Sequence, residues 1–158
     1  MPVLISSCLL GIACRYDGAH SRVAELVAKA QDLHLIPICP EQLGGLPTPR
    51  SPVTILNGDG RAVLAGQGRV MNSSGQDVTA AFLKGASETL RLAEITGAAT
   101  ALLKDKSPSC GLATPYCETD KGCGLGVTAA LLTSAGIRVI EIDPQNIKKG
   151  FIEELGLL

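Results

Sequence analysis

The stretch ATALLKDKSPSCG, Ala99 to Gly111, decides how this chain is read. A short apolar run bounded by turn residues has the form of a buried strand. The residues after it, KDKSPSCG, are charged and broken by Pro108 and Gly111, so the backbone must turn there. A cysteine, Cys110, stands in that turn, whereas a thiol used only as apolar filler would sit within a strand or helix.

The same form recurs outward along the chain. PVLIS (2–6) runs into Ser7-Cys8, LHLIPI (33–38) runs into Cys39-Pro40-Glu41, and IRVIEID (137–143) is a fourth run of this kind. Helical patterns lie between them. Ser21 has the chemistry of an N-cap for RVAELVAKAQDL, where Val23, Leu26, Val27 and Ala30 share a face. Asp77 precedes a long helix, VTAAFLKGASETLRLAEIT, which Gly97 closes. VTAALLTSA is the next helical run and stops at Gly136, and an amphipathic segment near Gln145–Glu154 predicts a last helix. EQLGGLPTPRSP is too rich in Pro and Gly for regular structure. VTIL-NGDG-RAVL (53–64) predicts a small β-hairpin insertion, with GRVMNSSGQ as a further extended piece.

Strands alternating with helices predict a Rossmann-like three-layer α/β fold. Its mostly parallel sheet carries helices on both faces and occupies residues 1–158 as one domain. Right-handed crossovers send every strand's carboxyl end to one edge, where open α/β sheets bind ligands.

Composition narrows the function. Fifteen acidic against fourteen basic residues give a net charge of −1, so there is no basic footprint for a nucleic-acid backbone. Aromatics make up only 3%, too few for broad base-stacking surfaces. No apolar span reaches the roughly 18–20 residues of a bilayer helix, and no signal-like segment opens the chain. A cytoplasmic protein with no membrane partner is expected. Thiols there stay reduced, so the six cysteines are not read as a disulfide framework.

Cys8, Cys39 and Cys110 each follow a strand, so topology delivers three sulfurs to one edge. Their spacings, C-x₅-C, C-x₂₄-C, C-x₇₀-C, C-x₆-C and C-x₅-C, contain no zinc knuckle. Soft thiolate ligation from separate loops also suits an iron–sulfur cluster. Buried unreactive thiols, and a nucleophilic Cys110 activated by a helix N-terminus, remain alternatives at this point. His34 starts the second strand, at the opposite edge, and His20 lies in a loop, so both read as surface or packing residues rather than as a partner for a thiol.

Four stretches taken together, SSCLLGIACRYDG (6–18), PICPEQLGGLPTPR (37–50), KDKSPSCG (104–111) and GLGVTAALL (124–132), resemble the thiouracil desulfidase family over nearly the whole chain. The resemblance implies a [4Fe-4S] cluster held by three cysteines with one iron open. It also implies sulfur removal from a thiolated pyrimidine without net redox change, giving the oxo base and hydrosulfide. Carried over motif by motif, the ligands are Cys8, Cys39 and Cys110. The catalytic groups are Glu41 and a serine of SPSC, either Ser107 or Ser109, with Ser107 preferred. Cys14 lies within the first motif as a fourth thiol where three ligands are expected. Arg15 and Tyr16, the next two residues, have the chemistry to hold a pyrimidine by hydrogen bond and stacking. Cys117 and Cys123, in TPYCETDKGC, lie outside the family pattern; if either reached the cluster, the open iron would be closed.

Two other classes of function stay in view. One is a cluster- or metal-binding module without turnover. The other is a sulfurtransferase that uses a cysteine nucleophile and no metal.

Overall fold

A computed structural model describes all residues, 1–158. Six strands and six helices form in the order β1 (Val3–Ser6), α1 (Ala24–Ala28), β2 (Leu35–Ile38), α2 (Pro40–Leu43), β3 (Val53–Leu56), α3 (Gly60–Leu64), β4 (Arg69–Asn72), α4 (Thr79–Thr96), β5 (Thr100–Lys104), α5 (Val127–Ser134), β6 (Arg138–Ile142) and α6 (Phe151–Glu154). A single 3₁₀ turn, Ser7–Leu10, succeeds β1 directly. No helix is long and apolar enough to cross a membrane.

The main sheet is fully parallel in the order β2-β1-β5-β6, with Val3 opposite Leu35 on one side and Thr100 on the other. Successive side chains on a strand point to opposite faces, and both faces here are covered. Val3, Ile5 and Leu102 pack with Leu26 of α1 and Ile152 of α6. Leu4, Ala101 and Leu103 pack with Ala93 of α4 and with Ala129 and Leu132 of α5. The three leucines Leu4, Leu102 and Leu103 are fully buried, each contributing roughly 1.5–3 kcal/mol of transfer free energy. The expected three-layer α/β architecture is therefore present.

The small antiparallel hairpin is present too, but with a different second strand. Residues 53–56 pair with 69–72, Val53 opposite Asn72, and RAVL is helical within α3 instead of extended. Asp59 explains the change: one carboxylate oxygen accepts from Arg61 N at 3.0 Å and caps α3, and the other accepts from Leu125 N at 3.0 Å. Val63 is then buried with Val127 at the start of α5.

Other boundaries shift. The first helix is five residues long and begins at Ala24, with Val23 as its N-cap. Ser21 does not cap it; its hydroxyl accepts from Arg15 Nη1 at 2.9 Å. β2 starts at Leu35, after His34 at φ 47°, and the last helix is confined to 151–154. Asp77 serves α4 from one position upstream of the N-cap Val78, accepting from Thr79 N at 2.9 Å. Gly97 closes α4 at φ 72°.

α4 carries its buried residues Phe82, Gly85, Ala86, Thr89 and Ala93 on one stripe, and α2 docks against it backbone to backbone. A Cβ on Gly85 would lie 1.9 Å from Pro40 O, and one on Gly44 would lie 2.0 Å from Ala81 O. Ala in place of a mid-helix Gly normally adds about 1 kcal/mol of helix propensity. At this contact, overpacking costing about 1–3 kcal/mol outweighs it. Gly85→Ala is therefore expected to lower the thermal unfolding midpoint; a raised midpoint would show that α2 slides freely on α4.

Candidate active site

β1 and β5 are neighbours whose onward connections diverge, β1 leading to β2 on one side and β5 to β6 on the other. Such a reversal opens a crevice at the carboxyl ends of the strands. A cavity of about 690 Å³ occupies this place, within the range of small-molecule sites. Cys8, Cys14, Cys39 and Cys110 all line it, together with Glu41 and Ser107.

Each thiol arrives by a separate device. Cys8 sits in the 3₁₀ turn that leaves β1, a turn ended by Gly11 at φ 94°. Cys39 is the N-cap residue of α2, with Pro40 at the first helical position, and this turn places Glu41 one residue further on. Its Sγ lies 3.6 Å from Glu41 Oε2 and 3.8 Å from the carbonyl oxygen of Cys14. Cys110 ends a turn that begins at Lys106, held at φ 59°.

That turn is closed from three sides. Ser107 Oγ accepts from Ser109 N at 3.2 Å and Cys110 N at 3.1 Å, and Gly111 N donates to Ser107 O at 2.8 Å. The first turn of α5 donates to it through Val127 N to Pro108 O and Ala129 N to Ser109 O, both 2.9 Å. The left-handed residue of the turn is Lys106, not Gly111. Gly111 instead provides room, since a Cβ there would lie 2.9 Å from Ser107 O.

Electrostatics mark these thiols as a group. Contact with Cys14 and then burial push Cys39 well above the ordinary thiol range. Burial, followed by the nearby Glu41 carboxylate, does the same to Cys110, with Ser6 and Ser107 as opposing hydrogen-bond partners. For Cys14, contact with Cys39 lowers the pKa, but contact with Cys8, burial and Glu41 outweigh it, leaving it at about 11. Burial and a neighbouring carboxylate both keep such thiols protonated at neutral pH.

Of the two candidate serines, Ser107 lines the cavity, while Ser109 is buried and does not. A serine hydroxyl has two acceptor lone pairs and one donor hydrogen. Ser107 gives its acceptor capacity to two backbone N–H groups, which turns its O–H toward the Cys110 side of the cavity. We expect Ser107→Ala to keep iron and to lower turnover about 10²–10³-fold, the scale for losing one aimed donor. Ser109→Ala is expected to stay close to wild type in hydrosulfide release; the opposite pattern would exchange their roles.

Arg15 and Tyr16 line the mouth, Arg15 held by Ser21 and by Asp17 at 3.1 Å. Tyr116, from the loop after Cys110, lines it as well, and the two tyrosines are 47% and 51% exposed. His20, read from sequence as a surface or packing residue, also lines the mouth; its Nδ1 accepts from Arg22 N at 3.2 Å. Arg50, Lys104 and Asp105 are among the further polar lining residues and were not singled out from sequence. Arg50 did carry a signal, as the last residue of PICPEQLGGLPTPR. Cys117 and Cys123 do not line the cavity; Cys117 donates to Thr114 O at 3.4 Å beneath β3.

YbbK of Bacillus subtilis (strain 168), an uncharacterised protein, is 43% identical over 147 residues, covering 91% of this chain and 97% of its own. Among solved structures, the [4Fe-4S]-dependent thiouracil desulfidase TudS superposes with a TM-score of 0.77 at 34% identity, over 99% of both chains. The model of the 2-thiouracil desulfurase family matches residues 3–143, from the first residue of β1 to just past β6. That span contains all four thiols of the cavity with Glu41 and Ser107, and on this match the chain belongs to the 2-thiouracil desulfurase family.

Proposed function

We propose that this protein hydrolyses the C=S bond of a thiolated pyrimidine, as free base or nucleoside, using a [4Fe-4S] cluster held by Cys8, Cys39 and Cys110. The observation that carries this reading is the meeting of three thiols from three different strand ends in one cavity that also holds a carboxylate and a serine hydroxyl. The donor set fits such a group. Cys14 contacts Cys8 and Cys39, and Cys110 lies near Cys39, so soft sulfur donors are gathered in one cavity. The cluster dependence of the related solved desulfidase supports the same choice.

When bound, the cluster supplies an open iron, a soft Lewis acid for the thiocarbonyl sulfur. The protein's own groups do the rest. Glu41, beside Cys39, takes a proton from the water that attacks the ring carbon. Ser107 donates its O–H to the substrate as charge develops there. Arg15 and the aromatic rim hold the ring at the mouth. Water's oxygen replaces sulfur on carbon, sulfur leaves as hydrosulfide with the electrons of the broken bond, and no net oxidation or reduction occurs.

The sulfurtransferase alternative requires a reactive thiolate. Burial and the neighbouring carboxylate push Cys39 and Cys110 the other way, which disfavours an unaided nucleophile. Anaerobic purification followed by iron and acid-labile sulfide analysis tests the proposal, with hydrosulfide release measured on a panel of thiouracils. A brown protein that releases hydrosulfide and the oxo base is expected. A colourless protein that is equally active, or a brown one with no turnover on any thiopyrimidine, overturns it.

A further inference from the structure

Arg50 belongs to the Pro-rich loop after α2, yet its guanidinium reaches into the thiol cavity. Nη1 donates to Thr48 Oγ1 at 3.0 Å and to Pro47 O at 3.2 Å, which fixes the fork to its own loop. Nη2 donates to Cys14 O at 3.0 Å and lies 3.8 Å from Glu41 Oε2. The backbone adds a further tie, with Arg50 N donating to Tyr16 O at 2.8 Å. The side chains of Arg50 and Glu41 are only 11% and 12% exposed, so solvent and salt screen this pair far less than a surface ion pair.

Neither hydrogen-bond contact of the Cys39 thiol can survive ligation. The Cys39 thiol faces both Glu41 Oε2 and Cys14 O, and those contacts need its S–H hydrogen. A cysteine binds metal as thiolate, so the hydrogen is gone in the loaded protein. Arg50 Nη2 then still holds both groups, donating a hydrogen bond to Cys14 O and facing Glu41 Oε2 as an ion pair. Lysine would not substitute, because a point-charged ammonium lacks the fork that spans the loop carbonyl, Thr48 and the Cys14 turn together.

Resting on the desulfidase reading above, we infer that Arg50 is the positioning residue of this site, holding the Glu41 carboxylate and the Cys14 turn in place once Cys39 is a ligand. Outer partners of this kind orient the groups that do the chemistry, and their loss typically costs about 10–100-fold.

The test uses Arg50→Met and Glu41→Gln, singly and together, in the anaerobically purified holoprotein with 2-thiouracil as substrate. Arg50→Met is expected to keep wild-type iron content and visible absorbance, to lower kcat about 10–100-fold, and to leave KM nearly unchanged. In the Glu41→Gln background the same change should have a much smaller further effect, because the carboxylate that pairs with Arg50 is already gone. Arg50→Lys should recover only part of the loss. A fall in affinity with kcat retained would make Arg50 a substrate contact and overturn the inference. So would an equal fold-loss in both backgrounds, or loss of iron from both the Met and the Lys variants. Failure of the desulfidase reading shows differently: the wild-type holoprotein itself would then release no hydrosulfide from any thiopyrimidine.

Discussion

Replacing Glu41 by Gln leaves the iron content unchanged and lowers hydrosulfide release about 10²–10⁴-fold, the usual span for general-base catalysis. The substitution isolates one property. Gln has the shape of Glu, and the docking of α2 on α4 and the Cys39 turn rest on backbone contacts that the change does not touch. Only the proton acceptor disappears. Its position gives the expectation force: Glu41 Oε2 lies 3.6 Å from Cys39 Sγ, inside the cavity and almost closed to solvent. Bulk water is poorly placed to take over the proton there. Single-turnover measurement of hydrosulfide with parallel iron analysis checks the result. A wild-type rate in Glu41→Gln would mean that the carboxylate is structural and that another group accepts the proton.

Changing any one of Cys8, Cys39 or Cys110 to Ser removes most of the iron, and with it all turnover. A hydroxyl replaces a thiolate poorly as a ligand for iron in a cluster. Cys117→Ser and Cys123→Ser keep the iron, because both residues lie outside the cavity, in the loop bridged to β3. Cys14→Ser is the sharper control. Its sulfur lies against Cys8 and Cys39, so only its place outside the ligand set predicts that iron stays. Burying a hydroxyl in place of a thiol carries its own cost, about 1–3 kcal/mol on protein scales, so circular dichroism of each variant separates misfolding from lost ligation. Full iron in Cys110→Ser would overturn the ligand assignment. Loss from Cys14→Ser equal to that from Cys39→Ser would make it a four-thiol site with no open iron.

Much of the framework was legible from local sequence, and the reasons are local. The four core strands are short apolar runs ended by turn residues, and a pattern of that kind is written in consecutive side chains. Gly97 and Gly136 stop their helices at φ 72° and 82°, a conformation that glycine adopts without strain. The convergence of Cys8, Cys39 and Cys110 was legible as well, since a parallel sheet sends its strand ends to one edge whatever the strand order.

The rest was decided by contacts between residues far apart in the chain. RAVL reads equally well as strand or helix; Asp59 chooses helix by capping α3 while also accepting from Leu125, 66 positions away. The order β2-β1-β5-β6, which opens the cavity between β1 and β5, depends on pairing energies that no single segment carries. The choice between Ser107 and Ser109 turns on which way a short loop faces, and α5 sets this by donating its first backbone N–H groups to Pro108 and Ser109. Arg50 and His20 enter the site only because loops fold over its mouth. By itself the sequence determined which elements form and which edge receives the sulfurs, because both arise from side-chain period and chain direction. The tertiary structure alone decided which side chains face one another across that edge, because hydrogen bonds and close backbone contacts between distant segments have no imprint in local pattern.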